Sequence, residues 1–378
     1  MKRRADFVMI HFKALELYPP VINLLDYLGK NADEKILVIS TDLPEDSHLK
    51  RYQANASNIW VKRTGSIKPG SLFRIFQYLR FYISSLLLLI KLKPAVVLYF
   101  ESISSWPALM YKKILGDSVK LMVHYHEYTT VEEYAHSMRL VKRMHQFEKT
   151  MYKNSFNWIS HTNEIRLQRF KVDYSLNQIP ADIFYTMPNY PSKFWAAGKS
   201  KTGKSEKNRL VYIGALGYDN MYLKETIDWV LSNNQFLSLD LYANIIDTKA
   251  ADFIKSIKDE SINYHGGCNY ADLPDVLKMY DVGLVMYKPF DENTVNAVSN
   301  KVFEYLACGL DVWFSEDMTY TSVYTRRDVY PKVLPINFNR LDDFDFKRSF
   351  KRDGLSYQPT DYFCENVYAI IYDKMSRK

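Results

Sequence analysis

Short apolar runs alternate with helix-length segments along this chain, and the whole series occurs twice. The runs are rich in Val, Ile and Leu and show little alternation, as expected of strands that are buried on both faces of a parallel sheet. They cover residues 6–12, 35–40, 59–63, 95–101, 120–124 and 156–161, and then 209–214, 237–243, 262–265, 282–288 and 311–314. The pattern predicts two α/β domains, each built on a parallel sheet.

The break between the two series lies near residue 192. Two prolines, Pro188 and Pro191, precede a polar stretch over 198–208, a composition typical of a connection between independent cores. We therefore predict an N-terminal domain over 1–191, a C-terminal domain over 192–359, and a helix over 360–378 that packs on either domain.

Composition restricts the possible partners. The net charge of +7 fits an anionic ligand or a lipid surface, and no basic run interleaved with aromatics indicates nucleic acid. The three cysteines, Cys268, Cys308 and Cys364, have no paired spacing, which favours a reducing, cytoplasmic location.

The segment 71–93 is the strongest candidate for membrane contact. Arg74 and Arg80 interrupt it, and its uncharged part, 81–90, is far shorter than the ~20 residues that a spanning helix needs. A fully buried core helix explains the leucines here. Alternatively, the helix lies at the inner face of the membrane, with Lys91 and Lys93 adding to its basic charge.

Residues 296–310 carry the clearest chemical signal. The pattern predicts that they open a helix after a strand and that Gly309 ends it. The free N–H groups at the start of such a helix suit a diphosphate. Glu304, about one turn further, can accept hydrogen bonds from two ribose hydroxyls. Spacing alone also permits another interpretation. In it, Phe303 lies on the side of the helix that faces the core, and Glu304 is exposed to solvent and binds nothing.

The stretch Asn300-Lys301-Val302-Phe303-Glu304-Tyr305-Leu306-Ala307-Cys308-Gly309-Leu310 resembles the NK-x-x-EY-x-A-x-G-x-P signature of GT-B glycosyltransferases, especially retaining family-four members. Segments 124–127, 188–191, 209–216 and 265–284 resemble other parts of that family in the same order. The resemblance implies the GT-B fold: an acceptor-side Rossmann-like domain and a nucleotide-sugar-binding Rossmann-like domain that face each other across a cleft.

The resemblance also implies roles for the matching residues. His126 should face the transferred sugar or the reaction centre. From its position beside His126, we expect Glu127 to orient that imidazole or to meet the acceptor hydroxyl. Capping of the next helix by His126 is the alternative. His124 is expected to be a core residue and His126 the better exposed of the two. The implied donor-binding residues are Gly214, Lys224, Gly267, Asn269, Tyr270, Ser299, Asn300, Lys301 and Glu304.

Three departures from the family pattern affect this interpretation. Asn296 stands where many members have a second glutamate, residues 13–20 replace a Gly-rich loop, and Ala215 replaces a basic residue. Lys224, Lys301 or helix ends must then meet the diphosphate charge. Asp343-Phe344-Asp345 imitates a metal-binding motif of another fold but fits a solvated loop better, so we expect no metal and no cofactor.

The expected function is transfer of a sugar from a nucleotide diphosphate sugar to a glycan or lipid-linked acceptor, with retention, in polysaccharide or glycoconjugate biosynthesis. Two alternatives remain open. One is a nucleotide-sugar epimerase of the same fold, and the other is a catalytically silent homologue that acts as a binding subunit.

Overall fold

The computed structural model describes residues 5–44, 47, 49–66, 74–196, 207–290 and 292–377. The chain divides into two compact units: unit 1 is Met1–Asn189 with Cys364–Lys378, and unit 2 is Tyr190–Phe363. The polar stretch predicted over 198–208 lies outside the described residues except for its last two positions.

Unit 1 is built on a parallel sheet with seven strands among the described residues, in the order β3-β2-β1-β4-β5-β6-β7. The strands are β1 Phe7–His11, β2 Ile36–Ser40, β3 Ile59–Arg63, β4 Val96–Phe100, β5 Lys120–Tyr125, β6 Trp158–His161 and β7 Phe184–Thr186. The helices are α1 Pro19–Asn31, α2 Arg74–Leu92, α3 Ser105–Leu115, α4 Val131–His136, α5 Arg139–Lys149, α6 Glu164–Asp173 and, at the chain end, α13 Cys364–Ser376.

The central strands of unit 1 are buried along their whole length, which explains their unbroken apolar sequences. All five residues of β1, β2 and β4 are buried. The C-terminal helix α13 also belongs to this unit, and the Tyr368 hydroxyl donates to the Pro20 carbonyl at the start of α1 (2.8 Å). The C-terminal helix α13 therefore packs against α1, the first helix of the same unit.

Unit 2 is built on a second parallel sheet, with six strands in the described part, in the order β10-β9-β8-β11-β12-β13. The strands are β8 Asn208–Ile213, β9 Leu237–Tyr242, β10 Ile262–Tyr264, β11 Val282–Val285, β12 Asp311–Ser315 and β13 Val333–Ile336. The helices are α7 Leu223–Ser232, α8 Thr248–Ser256, α9 Leu273–Leu277, α10 Glu292–Val295, α11 Asn300–Ala307 and α12 Phe346–Ser349.

The structure differs from the sequence prediction in three elements. The helix-length segment between the apolar runs 120–124 and 156–161 forms two helices, because Ser137 adopts an extended conformation that ends α4. The edge strands β7 and β13 have no counterpart in the prediction. β7 has only three residues and β13 contains Pro335, so neither shows the long apolar run on which the prediction rests.

The strand order reverses direction once in each sheet. In unit 1 the first strand, β1, lies between β2 and β4, and in unit 2 the first strand, β8, lies between β9 and β11. Ligands of open α/β sheets bind outside the carboxyl ends of the strands at such a switch point. The topology therefore predicts a ligand site at the carboxyl ends of the strands in each sheet, next to β1/β4 in unit 1 and next to β8/β11 in unit 2. We call these two places the β1/β4 edge and the β8/β11 edge.

Candidate functional site

In unit 2, a lysine and a glycine meet at the β8/β11 edge. Gly214 directly follows β8 with φ of 150°, and a Cβ there would lie 2.4 Å from Lys301 Cε and 2.8 Å from its Nζ. Only glycine leaves room for this ammonium group beneath the loop. Lys301 Nζ donates to the Tyr287 hydroxyl (3.0 Å), which follows β11. A fixed positive charge therefore lies at the switch point.

Helix α11 brings Lys301 to this edge. Ser299 precedes the helix in an extended conformation without capping it through its side chain, and Gly309, with φ of 72°, lies beyond its end. The helix is held down by Tyr305, whose hydroxyl accepts from the Ile213 N–H (3.1 Å). Its ring lies where a Cβ on Gly283 would approach within 2.1 Å. The glycine in β11 thus permits the close packing that fixes the helix start.

Glu304 lies one turn after Lys301 on the same helix. Burial raises the pKa of Glu304 to about 7, and Lys301 and the Tyr270 hydroxyl oppose that shift by favouring the carboxylate. Tyr270 belongs to the loop that follows β10, so this loop and α11 converge at the carboxylate. Phe303 is buried and faces the core, as the alternative interpretation states. Glu304 is only partly exposed, so it is not simply a solvated side chain.

The loop after β10 carries the other predicted donor-binding residues. A Cβ on Gly267 would lie 1.9 Å from Asn244 Oδ1, so a side chain here would displace the Asn244 amide, which donates to the Cys268 carbonyl. Asn269 Nδ2 donates to Asp272 Oδ2 at the surface (3.2 Å). Gly267 and Tyr270 therefore shape the loop beside Glu304, and Asn269 has a local partner.

Lys224 occupies a different environment from Lys301. It lies in the first turn of α7 and forms an exposed ion pair with Asp228 one turn later. The positive charge that the structure places beside Gly214 and Glu304 is that of Lys301. Binding of a diphosphate by Lys224 stays a prediction, and it requires that the ion pair open.

In unit 1, His126 lies just beyond β5, next to the β1/β4 switch point. Its ring stacks on Phe100 (centroids 5.4 Å apart), touches Tyr18 (5.3 Å) and meets His124 edge-on (4.7 Å). His126 is the better exposed of the two histidines, as expected, but both are buried: His126 is 7% exposed and His124 is 0% exposed. The cause is tertiary: Tyr18, which follows β1, covers the imidazole.

Buried imidazoles next to one another stay neutral. Burial, together with the nearby rings of His124 and His11, lowers the pKa of His126 well below its usual value, and the Asn189 side chain only partly opposes this. Burial also lowers the pKa of His11 to about 4. A neutral imidazole has a lone pair that can accept a hydrogen bond or a proton from a hydroxyl group.

The capping alternative for His126 does not hold. Helix α4 is capped by Thr130, which forms a reciprocal capping box with Glu133. The backbone of His126 is fixed instead from α6, where the Arg166 guanidinium donates to its carbonyl (3.0 Å). Glu127 is exposed, and orientation of the imidazole by this residue stays a prediction.

Glu101 is a candidate site residue that the apolar pattern did not reveal, because this pattern predicts a strand over 95–101. It follows β4 with φ of 61° and ψ of 152°, a region that residues other than glycine rarely occupy. Its Oε1 accepts from the N–H groups of His126 (2.7 Å) and Glu127 (3.4 Å). Burial raises the pKa of Glu101 to about 8. The sequence signal that identifies Glu101 is an acidic residue at the carboxyl end of a central strand.

The loop after β1, which has no Gly-rich sequence, is anchored by side chains. The Lys13 carbonyl accepts from His11 Nδ1 (2.8 Å) and the Ser40 hydroxyl (2.9 Å). Glu16 forms a buried ion pair with Arg63 (2.6 Å). Lys13 Nζ donates to the Tyr18 hydroxyl (2.8 Å) at the same edge as His126. The β1 loop is thus a fixed wall of the unit 1 site.

Comparison with known proteins identifies the fold. No family model and no curated protein sequence matches the chain. The lipopolysaccharide outer core galactosyltransferase WaaB is similar in structure, with 12% identity and a TM-score of 0.61 over 97% of this chain and 99% of that one. A glycosyltransferase from Rickettsia africae gives 12% identity and a TM-score of 0.61 over 99% and 95%.

A third similar structure is an enzyme of another class, the UDP-GlcNAc 2-epimerase from Methanocaldococcus jannaschii. It shares 11% identity and a TM-score of 0.57 over 97% of this chain and 99% of that one. The chain therefore has the GT-B fold that glycosyltransferases and nucleotide-sugar epimerases share, which confirms the predicted fold class. Membership of the retaining family four stays a prediction.

Proposed function

We propose that this protein is a glycosyltransferase that moves a sugar, with retention, from a nucleotide diphosphate sugar to a glycan or lipid-linked acceptor. It acts in polysaccharide or glycoconjugate biosynthesis on the cytoplasmic side of the membrane. Unit 2 binds the donor nucleotide. Unit 1 binds the acceptor and accepts the proton of its hydroxyl group.

The observation that carries this proposal is the cluster of Gly214, Lys301 and Glu304 at the β8/β11 edge. Burial opposes the charge of Lys301, but Tyr287 and Glu304 outweigh it and raise the pKa of Lys301, so the ammonium stays charged. A cation beside the first turn of a helix suits a diphosphate, and a carboxylate one turn further suits the ribose hydroxyls. Ser299 and Asn300 offer their backbone N–H groups at the start of the helix.

In the transfer step the bond between the sugar carbon and the diphosphate oxygen breaks and a bond to the acceptor oxygen forms. The departing diphosphate keeps the electron pair, and Lys301 and the α11 N–H groups stabilise its negative charge. The acceptor hydroxyl loses its proton, and the neutral imidazole of His126 is the group in unit 1 suited to hydrogen-bond or accept it.

Thermal unfolding in the presence of nucleoside diphosphates tests donor binding. One nucleotide at 100 times its dissociation constant should stabilise the protein by about 2.7 kcal/mol. A sugar-transfer assay with the matching nucleotide sugar and membrane-extracted glycolipids then tests turnover. Absence of stabilisation by every nucleoside diphosphate would contradict the proposal and favour the silent binding subunit.

A second candidate is a nucleotide-sugar epimerase. The similarity to several UDP-GlcNAc 2-epimerase structures, one of them in complex with UDP-GlcNAc and UDP, supports it. An epimerase interconverts its nucleotide sugar without an acceptor. NMR of the nucleotide sugar incubated with the protein alone separates the two: a new sugar epimer identifies the epimerase, and an unchanged spectrum favours the transferase.

A further inference from the structure

Helix α2 has two apolar faces that point in different directions. One face packs into the core of unit 1 through Tyr78, Phe81, Tyr82, Ser85 and Leu89, which are all buried. The other face is exposed, and we define the apolar stripe as five of its aliphatic residues, which are 42–64% exposed. These are Ile75, Leu79, Ile83, Leu87 and Ile90. At about 100° per residue, the five lie within an arc of about 120° on the side of the helix away from the core.

Scattered exposed apolar residues are ordinary, but a continuous stripe along a whole helix is not. Here the stripe covers α2 from its second residue to its seventeenth. Contact between this apolar surface and water is unfavourable, so burying the surface against a partner would lower the free energy.

The charged residues of α2 are all basic. Arg80 and Lys91 are exposed, and they lie about 20–40° beyond one edge of the arc. Lys93 follows the helix and is also exposed. Between Arg74 and Lys93 the sequence contains no Asp or Glu. Within 74–93, the apolar stripe is accompanied by cations and by no acidic residue, which matches a bilayer surface with an apolar interior and anionic headgroups.

The helix is long and apolar enough to cross a membrane by length and composition alone. Spanning would remove Phe81, Tyr82 and Leu89 from the unit 1 core, where they are at most 3% exposed. An orientation in the plane of the interface keeps this packing and buries the stripe at the same time.

We propose that the apolar stripe of α2 inserts into the surface of an anionic lipid bilayer, with Arg80, Lys91 and Lys93 at the level of the lipid phosphates. A second copy of the chain fits less well, because antiparallel packing of two such stripes brings cations together with no acidic residue on either helix. The proposal is independent of the donor and of the proposed transfer reaction.

Flotation of the full-length protein with vesicles, in the absence of nucleotide, tests this surface. The protein should float with phosphatidylcholine vesicles that contain phosphatidylglycerol, and much less with phosphatidylcholine alone. The triple variant Leu79→Ser, Ile83→Ser, Leu87→Ser should lose flotation. The matched control, Val172→Ser with Ile370→Ser, replaces residues of α6 and α13 that are 64% and 53% exposed, and it should float like the parent.

The cations provide a second and milder variant. Arg80→Gln with Lys91→Gln should weaken binding to anionic vesicles about 30-fold, at about fivefold per charge, and added salt should weaken the parent in the same direction. Thermal unfolding confirms that each variant is folded, and the charge variant carries the test if the triple variant unfolds. Equal flotation of parent and both variants would overturn the proposal. So would failure of the parent to bind anionic vesicles, or a dimer that the triple variant dissociates.

Discussion

The two candidate sites occupy the same place in their sheets but differ in electrostatics. In unit 2 the switch point holds a charged lysine beneath Gly214 and a carboxylate on α11. In unit 1 it holds the buried imidazoles of His11 and His126, whose pKa values are lowered. The same topology therefore places two kinds of group at the switch point: a fixed positive charge, which can bind an anion, and a neutral imidazole, which can accept a hydrogen bond or a proton. Variants that separate binding from turnover test this difference.

The largest expected effect is on turnover in unit 1. His126→Ala should lower kcat about 10²- to 10⁴-fold, because general acid–base groups contribute that much, while nucleotide diphosphate affinity stays nearly unchanged. Transfer kinetics and calorimetric binding measure the two quantities separately. His136→Ala, an exposed histidine of α4, is the control. Normal turnover of His126→Ala would place the reaction centre elsewhere.

The next effect is on binding in unit 2. Lys301→Met should weaken nucleotide diphosphate affinity by about 10- to 150-fold, as expected for removal of a hydrogen bond from a charged group worth about 1.5–3 kcal/mol. Calorimetry against the parent measures it. The control Lys255→Met removes an exposed lysine from α8 and should bind normally. Unchanged affinity in Lys301→Met would leave Lys224 or the helix ends to meet the charge of the diphosphate.

Glu304→Gln should weaken nucleotide binding by about tenfold at pH 8, since it replaces a charge-assisted hydrogen bond to the ribose. Because the pKa of Glu304 is about 7, the affinity of the parent should also rise between pH 6 and pH 8, and that of the variant should not. Titrations at several pH values check both statements. Glu260→Gln, an exposed carboxylate of unit 2, should keep the pH dependence of the parent.

Glu101 should affect the pH dependence of stability in unit 1. Its pKa is raised from 4.5 to about 8 in the folded protein, so the unfolded chain loses this proton first. The stability contribution therefore falls as pH rises from about 4.5 through 8, at up to about 1.4 kcal/mol per pH unit. Glu101→Gln should remove this slope in urea unfolding between pH 5 and pH 8. A slope equal to that of the parent would show that Glu101 is ionised like an exposed glutamate.

The smallest expected effect is that of a chelator. Lys301 and the start of α11 provide the positive charge that a metal ion supplies to a diphosphate in other enzymes. We therefore expect transfer activity to be unchanged by EDTA. Loss of turnover in EDTA and its recovery with added Mn²⁺ or Mg²⁺ would show that the charge of unit 2 is insufficient.

The sequence by itself determined the two α/β series and the helix that carries Lys301 and Glu304, because buried parallel strands and a glycine-terminated helix leave local patterns. It did not reveal Glu101 as a site residue or the burial of His126. Both depend on β1, β4 and β5 lying side by side, which brings Tyr18 and Glu101 to His126 from positions far away in the chain. Likewise, the sequence showed that α2 is apolar, but only packing decided which face is left to the solvent. Local patterns specify elements, whereas contacts between distant residues decide which side chains are buried, charged and available for chemistry.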